Sequence, residues 1–330
     1  MLNPDLELNE KVFDEDVEER ATREGYGEAL VELGDSNKNV VALCADLTES
    51  TKADAFAAKF PDRFFECGVA EQNMAAIAAG LGISGKIPFI SSYATFSPGK
   101  NWETIRTTII YNQANVKIAG HHSGIVTGQD GATHQATEDI ALMRSLPGVQ
   151  VIVPCDVHEA KRATIAAASL VGPVYLRFTR DKTPLITTVD TPYEIGKIYK
   201  YWQSDNPQAV VLATGHLLYY ALVAAKELES EGINVTVANV ATVKPMDVKA
   251  LLELTAEGGA VETVEDHQVA GGMGSAVCEF LAQNNPMPIE FVGLRDTFAE
   301  SGKPKELIEK YGLGTKSIKE SVNKVILRKR

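Results

Sequence analysis

The feature that most constrains the fold of this chain is a regular alternation of short apolar segments with longer helical patterns. The short segments are rich in β-branched residues, as strands are when both faces of a parallel sheet are covered. In the first half of the chain they span residues 39–45, 87–90, 116–119, 149–153 and 174–178. Helical patterns lie between them at about 20–34, 70–82, 99–112, 137–145 and 157–169. This alternation predicts an α/β fold with a parallel sheet and helices on both faces.

The same pattern restarts after a break near residues 183–208, so we predict two domains. Further strands are predicted at 209–215, 234–240, 259–264 and 289–292, with helices over about 216–231, after Pro245 and after Gly274. The predicted boundaries are 20–187 for the first domain and 195–330 for a second, smaller α/β domain. Residues 1–19 are acidic and show little periodicity, so we expect them to form a mobile N-terminal arm.

Charge and composition disfavour several classes of partner. The net charge of −12 argues against binding to nucleic acid or to an anionic membrane. No apolar run of the sequence approaches the roughly 20 residues that a membrane-spanning helix needs, and residues 1–7 lack a signal-peptide pattern. We expect buried free thiols at the four widely spaced cysteines, Cys44, Cys67, Cys155 and Cys278. These features predict a cytoplasmic protein.

Glu71 is the first residue of chemical interest, because it opens a helix whose other residues are mostly small or apolar. A carboxylate at the start of such a helix is expected to be buried. Burying it without a partner costs several kcal/mol or raises its pKa, which proteins tolerate mainly where the proton is used. The alternative is a structural carboxylate that the helix dipole stabilises by about 0.3–1 kcal/mol.

Residues 121–135, which we call the histidine loop, hold three of the six histidines of the chain together with three glycines. The histidines are His121, His122 and His134, and Asp130 lies between the last two. Such side chains donate hydrogen bonds, exchange protons or bind metals, and the glycines bring backbone close to a ligand. A third strong metal ligand at a familiar spacing is missing. We therefore favour a polar substrate site over a metal site, with a solvated loop as the remaining interpretation.

Aromatic and basic side chains lie near the predicted ends of other strands. Residues 93–96 include Tyr93 and Phe96, and Trp102 follows, so these rings either stack on a flat heterocycle or pack in the core. Arg180, with Arg23 far from it in sequence, either binds a phosphate or forms surface salt bridges.

A glycine-rich stretch, residues 270–275, precedes a predicted helix in the second domain. Such a turn can cradle phosphate, but this one lacks the lysine of a P-loop. We interpret it as a structural turn.

These segments occur together, in this order, in one family, and their ordered set is far more specific than any single motif. From about residue 20 onward the chain resembles the transketolases, and most closely the C-terminal subunit of a split transketolase. The matching stretches are Gly68-Val69-Ala70-Glu71-Gln72-Asn73, Thr95-Phe96, His122 with residues 128–135, Pro147-Gly148, Val153-Pro154-Cys155-Asp156 and Arg177-Phe178-Thr179-Arg180.

The resemblance implies that the first domain binds the pyrimidine end of thiamine diphosphate, whereas the second domain holds no cofactor. Glu71 matches the glutamate that hydrogen-bonds N1′ of the aminopyrimidine, so that the imino form can remove the proton from C2 of the thiazolium. Phe96 matches the aromatic residue that stacks on the pyrimidine, and Trp102 is expected to form another wall. Asp46 and Leu47 match residues near the cofactor.

The resemblance also implies the substrate contacts. Arg23 and Arg180 match two arginines that clamp a sugar phosphate, and Ser50 matches a serine that contacts it. Asp130, His122 and His134 match residues that hold the sugar hydroxyls and carbonyl, and the two histidines are expected to act in catalysis with Glu71. The implied reaction is reversible transfer of a two-carbon ketol unit from a ketose phosphate to an aldose phosphate, as in the pentose phosphate pathway.

The motif that binds the metal and diphosphate in this family, Gly-Asp-Gly followed some 25–30 residues later by Asn, is missing. Residues 34–36 fail at the third position and residues 129–131 at the first. The resemblance therefore implies that this chain holds no metal and that a transketolase N-terminal subunit binds Mg²⁺ or Ca²⁺. A two-plus-two heterotetramer, with its active sites between chains, is the expected assembly.

Three alternatives remain. Beta subunits of 2-oxo acid dehydrogenases share the glutamate motif, but they act on unphosphorylated acids and have little use for Arg23 and Arg180. Deoxyxylulose-phosphate synthase shares several stretches, but it is normally a single chain with an arginine in place of His122. The third alternative is a phosphate-binding module without activity, which the intact set of polar site residues disfavours.

Overall fold

The computed structural model describes residues 1–329. Its elements form two α/β domains with mostly parallel sheets, which confirms the predicted fold class. The strands of the first domain are β1 (Glu19–Ala21), β2 (Val40–Cys44), β3 (Phe64–Glu66), β4 (Ile87–Tyr93), β5 (Lys117–His121), β6 (Gln150–Ile152), β7 (Val174–Arg177) and β8 (Lys182–Pro184). Its helices are α1 (Thr22–Ser36), α2 (Asp54–Lys59), α3 (Glu71–Ile83), α4 (Trp102–Thr104), α5 (Asp139–Arg144) and α6 (Val157–Ser169).

The second domain repeats the alternation of strands and helices. Its strands are β9 (Tyr199–Trp202), β10 (Ala209–Ala213), β11 (Val235–Asn239), β12 (Thr242–Lys244), β13 (Val261–Gln268) and β14 (Ile289–Leu294). Its helices are α7 (Leu218–Ser230), α8 (Val248–Gly258), α9 (Met273–Asn284), α10 (Pro304–Lys310) and α11 (Thr315–Leu327). Its five-stranded sheet has the order β14-β13-β10-β11-β9, in which β9 is the antiparallel strand.

The main sheet of the first domain has seven strands in the order β12-β6-β7-β5-β4-β2-β3. Strands β2 and β5 are buried at every position, which explains the continuous apolar run of β2. Strand β12 comes from the second domain and pairs antiparallel with β6, so the second domain completes one edge of the first sheet. Pairing of this kind between domains leaves no signal in the local sequence.

The prediction that residues 1–19 form a mobile arm is wrong. Leu6, Leu8 and Val12 are buried in an apolar cluster with side chains of the second domain. The backbone N–H of Asn3 donates a hydrogen bond of 2.9 Å to the carbonyl of Tyr201 in β9. The arm covers the edge strand of the second sheet, and such an edge otherwise exposes unpaired backbone groups.

The single helix predicted over residues 99–112 is broken into short pieces in the structure. Short helical turns, Thr95–Lys100 and Ile105–Ile110, flank α4 in place of one continuous helix. Ser97 has a non-helical backbone conformation, and Pro98, which follows it, lacks the N–H that a helix requires.

Two further expectations can be compared with the structure. All four cysteines are free thiols, and Cys44 and Cys155 are buried as predicted, whereas Cys67 and Cys278 are partly exposed. Within residues 1–329, no helix combines the length and the apolar character that crossing a bilayer demands.

Candidate functional site

The candidate site lies at the edge of the first sheet where its parallel strands end. Strands β2, β4, β5 and β7 lie side by side, and their final residues are Cys44, Tyr93, His121 and Arg177. The segments that follow these strands carry most of the predicted site residues. A parallel sheet places such segments together, and ligands bind there in open α/β sheets.

Glu71 begins α3 and is 2% exposed, which confirms that the carboxylate is buried. The expectation that it lacks a partner is wrong, because Nζ of Lys100 lies 3.0 Å from its Oε2. The lysine side chain is itself about half exposed, so this ion pair joins a buried group to solvent. Asn101 donates a hydrogen bond of 2.9 Å from its side chain to the carbonyl of Glu71. The turn that carries Phe96 and Lys100 is thereby fastened to the start of α3.

Four rings form a cluster beside this turn. The ring centroids of Tyr93 and His122 are 3.7 Å apart in a stacked arrangement. Phe96 also stacks with Tyr93, at a centroid distance of 5.9 Å, and it meets His134 edge to face at 5.5 Å. The structure therefore brings together three predicted site residues, Phe96, His122 and His134. Tyr93, which was not in the predicted set of site residues, lies at their centre.

The environment of His122 favours a neutral imidazole. Burial, reinforced by the positive charges of Arg23, Arg180 and His134, lowers the pKa of His122 to about 3. Its buried Nδ1 has no hydrogen-bond partner among the described residues. A neutral imidazole offers one donor and one acceptor, so His122 has a free polar atom with which to contact a ligand.

His121 lies next to His122 but belongs to a different environment. Its ring packs against Tyr26 and Phe178, with centroids 4.9 and 5.1 Å away. Burial, together with the nearby positive groups, lowers the pKa of His121 well below its ordinary value. His121 is therefore a core side chain of the first domain.

The histidine loop is shaped by a short helical turn over residues 125–130. The side-chain amide of Gln135 lies inside the loop and donates to the carbonyls of Ile125 and Gly128 at 3.3 Å each. His134 is partly exposed, and its Nδ1 lies 2.8 Å from the hydroxyl of Thr133. Asp130 is exposed at the tip of the loop.

The two arginines lie beside the histidines. One guanidinium nitrogen of Arg23 donates a hydrogen bond of 2.8 Å to the carbonyl of Ser50. Arg180 donates to the carbonyl of Thr127 at 2.8 Å, and its Nε lies 3.9 Å from Asp130. Burial and the positive charge of Arg180 lower the pKa of Arg23. Two arginines near one neutral histidine create a positive site that suits an anionic group.

Asp46 and Leu47 lie in the loop after β2. Asp46 has a φ of 59°, and its backbone N–H donates to Oε1 of Glu66 at 2.7 Å. The same carboxylate oxygen accepts a hydrogen bond from Gly68, just before α3, at 3.0 Å. Glu66 therefore joins the two loops that enclose this end of the site. The side chain of Asp46 is exposed and Leu47 is half-buried.

Trp102 is the predicted residue with the clearest packing role. Its ring packs against the large apolar core that the two domains share, and its indole N–H donates a hydrogen bond of 3.0 Å to the carbonyl of Leu142. That Trp102 also forms a wall of the cofactor pocket stays a prediction.

Metal ligands are scarce in this site. In the part of the chain that the structure describes, no cluster of three or more His, Cys, Asp or Glu side chains is placed to hold a metal ion. Asp35, from one of the failed metal motifs, forms an exposed ion pair of 2.6 Å with Lys59.

The glycine-rich turn of the second domain has a structural role, as predicted. The backbone N–H groups of Met273 and Gly274, which begin α9, donate to the buried carboxylate of Glu265 at 2.7 and 2.9 Å. Their donors are therefore taken by the protein itself rather than by a phosphate.

Sequence reasoning missed Lys100 and Glu66 as parts of this site, and it named Tyr93 only as a ring that either stacks on a heterocycle or packs in the core. Lys100 lies 29 positions from Glu71, and nothing in its local sequence marks it as an ion-pair partner. Tyr93 had a signal, because an aromatic residue at the end of a buried strand stands where ligands bind.

The site as a whole combines a buried carboxylate, an aromatic surface and a positive patch. They fit a flat, basic heterocycle beside an anionic substrate.

Comparisons with known proteins give a consistent result. Residues 18–185 match a model of the transketolase pyrimidine-binding domain, and residues 200–318 match a model of the transketolase C-terminal domain. Together the two models match most of the chain.

Two curated relatives and one solved structure are similar over nearly their whole length. The chain is 42% identical to a putative transketolase C-terminal section of Methanocaldococcus jannaschii, over 91% of this chain and 94% of that one. It is 37% identical to a 6-deoxy-6-sulfo-D-fructose transketolase subunit of a Clostridium species, over 96% and 98%. A structure described as a split gene transketolase, an inactive beta4 tetramer, is 45% identical, with a TM-score of 0.87 over 94% of this chain and 99% of that one.

Proposed function

This chain belongs to the transketolase family, and we propose that it is the C-terminal subunit of a thiamine diphosphate-dependent enzyme. In this proposal it transfers a two-carbon ketol unit reversibly from a ketose phosphate to an aldose phosphate, together with an N-terminal subunit. The observation that carries the proposal is the position of neutral His122 among Arg23, Arg180 and His134. The two arginines can hold a sugar phosphate, and the two histidines can transfer protons at the oxygens of the adjacent carbons.

The residues present fit the pyrimidine end of the cofactor. Glu71 would hold N1′ of the aminopyrimidine with its buried carboxylate, and Phe96 would present its ring to the heterocycle. Asp46 and Leu47 would lie at the border of the cofactor site. When bound, thiamine diphosphate supplies a nucleophilic carbon and an electron sink for the two-carbon unit. Lys100 keeps the carboxylate of Glu71 paired in the structure described here.

The chain's own groups account for proton movement at the sugar. His122, neutral and with a free Nδ1, would donate a hydrogen bond to the carbonyl oxygen at which negative charge develops. His134 would contact a neighbouring hydroxyl, because its ring meets the same aromatic cluster. Asp130 would accept a hydrogen bond from a further hydroxyl.

Arg23 and Arg180 would bind the anionic end of the sugar, with Ser50 beside them. A phosphate and a sulfonate offer similar oxygen acceptors to a guanidinium pair. The relative that acts on 6-deoxy-6-sulfo-D-fructose therefore supports a second candidate substrate class, a ketose with a terminal sulfonate.

An N-terminal partner subunit would supply the metal, Mg²⁺ or Ca²⁺, and the diphosphate end. This is supported by the scarcity of metal ligands within residues 1–329 and by the split-gene relatives. The exposed face of α3, which includes Ile77 and Ile83, offers apolar surface for a neighbouring chain. We propose a two-plus-two heterotetramer. Action in the pentose phosphate pathway and a cytoplasmic location stay predictions.

The deciding experiment combines the purified chain with the N-terminal subunit from the same source, thiamine diphosphate and Mg²⁺. D-Fructose 6-phosphate and 6-deoxy-6-sulfo-D-fructose serve as parallel donors with one aldose phosphate acceptor. We expect two-carbon transfer only when both subunits are present, and the faster donor identifies the anionic group. Consumption of pyruvate or another 2-oxo acid in place of transfer would overturn the proposal in favour of the related enzymes.

A further inference from the structure

Among the contacts between the second domain and the candidate site is one made by a buried carboxylate, that of Asp266. Asp266 lies in β13, and its side chain is 1% exposed. Its Oδ1 accepts a hydrogen bond of 3.0 Å from the backbone N–H of Ile125 in the histidine loop. The preceding residue, Gly124, has a φ of 76°, and a Cβ there would collide with the carboxylate of Asp266. The loop therefore lies directly against β13 at this hydrogen bond.

The far end of the histidine loop is fastened to the same strand. The backbone N–H of Gln268 donates a hydrogen bond of 2.7 Å to the carbonyl of Thr137. The guanidinium of Arg177 donates to the carbonyl of Ala136 at 3.1 Å and to the backbone carbonyl of Asp266 at 2.9 Å. Both ends of the loop that carries His122 and His134 are thus held from β13.

A carboxylate is a costly way to make this contact. Oδ2 of Asp266 has no hydrogen-bond partner among the described residues, and it lies 3.6 Å from Nε2 of His216. Burial outweighs the effect of Arg177 and raises the pKa of Asp266 above its ordinary value. A buried acid of this kind costs stability. We therefore expect it mainly where its contact holds a segment whose position matters for function.

We propose that Asp266 is a positioning residue for the transfer reaction: it fixes the backbone at the start of the histidine loop and thereby the placement of His122 and His134. The consequence for catalysis rests on the proposed function, whereas the fixing of the loop is a property of the chain alone. The second domain, which holds no predicted cofactor or substrate residue, then sets the geometry of the site in the first.

The test measures hydrogen–deuterium exchange of peptides that span residues 121–136, in the assembled complex with the partner subunit, for three variants. Asp266→Ala removes the acceptor, and Asp266→Asn keeps it. Glu262→Ala is the matched control, because Glu262 is a buried acid of the same strand whose partner is Ser321 in α11. Thermal melting and steady-state two-carbon transfer are recorded for each variant.

We expect Asp266→Ala to speed exchange in the loop at least tenfold and to lower kcat roughly tenfold to a hundredfold, as misplaced catalytic groups do. Asp266→Asn should restore both values to within about threefold of the wild type. Glu262→Ala should lower the melting temperature and leave exchange in the loop unchanged. If Asp266→Ala is not recovered folded, Asp266→Ser, whose hydroxyl is too short to reach Ile125, takes its place.

Two outcomes would overturn the inference. One is wild-type exchange in the loop of a folded Asp266→Ala variant. The other is loosening of the loop by Glu262→Ala to the same degree, because Asp266 would then act through general stability. The wild-type complex could also show no two-carbon transfer while Asp266→Ala still loosens the loop. That pair of results would support the positioning of the loop by Asp266, and only the proposed function would fail.

Discussion

His122 adopts a left-handed backbone conformation, with a φ of 54°, at the point where the chain leaves β5. Such a conformation costs a residue with a side chain about 1–2 kcal/mol. The hydroxyl of Thr127 donates a hydrogen bond of 2.6 Å to the backbone carbonyl of His122, and the ring of Tyr93 stacks on the imidazole of His122. These contacts turn the imidazole away from the core position that its neighbour His121 occupies. Local strain thus places the side chain, as it does in many functional sites.

The role of Glu71 yields the first prediction. Glu71→Ala should reduce two-carbon transfer by roughly 10²–10⁴-fold, because the carboxylate is the proposed contact to the aminopyrimidine. Thermal stability should change little, since Lys100, the partner left behind, is about half exposed and can be solvated. Transfer assays and melting curves of the complex measure the two effects. Gln72→Ala, at the next, exposed position of α3, is the control and should behave as wild type. Near-wild-type transfer by Glu71→Ala would refute the mechanism.

Arg180 yields the second prediction. Arg180→Ala should raise KM for a phosphorylated ketose by roughly tenfold to a hundredfold and lower kcat less, because a charged hydrogen bond contributes about 1.5–3 kcal/mol to binding. Steady-state kinetics with a phosphorylated and an unphosphorylated ketose separate the effects. Arg106→Ala, which removes an exposed arginine of the same domain, is the control. An equal loss with both ketoses would contradict a phosphate contact.

At the scale of elements, β13 concentrates buried acids. Glu262, Glu265 and Asp266 lie in this one strand, and all three are buried. Glu265 accepts from the start of α9, Asp266 accepts from the histidine loop, and Glu262 accepts from Ser321 in α11. One strand therefore fastens three neighbouring segments through carboxylates. The strand predicted over residues 259–264 stops before Glu265 and Asp266, because an apolar pattern does not extend through polar residues that face inward.

Glu262 gives a pH-dependent prediction. Burial, with a smaller effect from Glu290, raises the pKa of Glu262 to about 8 in the folded chain, against the opposing hydrogen bond from Ser321. The folded state therefore binds this proton more tightly than the unfolded state. The associated stability is complete below about pH 4.5 and is lost as the pH rises through about 8.

Glu262→Gln removes this titration and should have a melting temperature about 2–5 °C above that of the wild type at pH 9. The difference should shrink toward pH 5, where the wild-type carboxyl is protonated when folded. Melting curves across this range measure it. Glu253→Gln, which alters an exposed acid of α8, is the control. A pH-independent difference between Glu262→Gln and the wild type would show that the carboxyl is ionised in the folded chain.

Gly124 gives a prediction about the contact between the histidine loop and β13. Gly124→Ala should destabilise the chain through its positive φ and through collision with Asp266. Gly148→Ala is the matched control, since Gly148 has a φ of 75° but open space at the position of a Cβ.

Backbone strain costs both variants about 1–2 kcal/mol, and crowding should add about 1–3 kcal/mol to Gly124→Ala alone. Urea unfolding measures the two free energies. Equal losses would indicate that the loop can move away from β13 without cost.

For the whole molecule, the two domains are joined by contacts of several kinds. Strand β12 pairs with β6, the histidine loop rests on β13, and the large apolar core contains side chains of both domains. The N-terminal arm then packs on the second domain before the chain enters the first. A connection of this extent favours unfolding of the chain as one unit.

The arm gives the last prediction. Val12→Ala should lower the free energy of unfolding by about 2 kcal/mol, because Val12 is fully buried in the apolar cluster of the second domain. Val189→Ala is the control, since Val189 is 70% exposed and should change stability by less than about 0.5 kcal/mol. Urea unfolding of both variants decides the matter, and equal effects would mean that the arm is mobile after all.

The sequence alone predicted the α/β class and strands such as β2 and β5, and it singled out Glu71, Phe96, His122, His134 and Arg180 as candidate site residues. Periodicity and composition are local, and parallel strands bring their ends together whatever else the chain does. The resemblance to one family then gave these residues their expected roles. Those roles stay predictions, whereas the burial of Glu71 and the clustering of the two histidines with Phe96 are features of the structure.

Only the tertiary structure decided the contacts between residues far apart in the sequence. Lys100 pairs with Glu71, Asp266 holds Ile125, β12 joins the sheet of the other domain, and the arm docks on β9. Each of these depends on the path that the chain takes after its elements have formed, and a single partner at long range leaves no periodic trace. The sequence therefore determined which residues meet at the sheet edge, and the packing of the two domains decided how those residues are held.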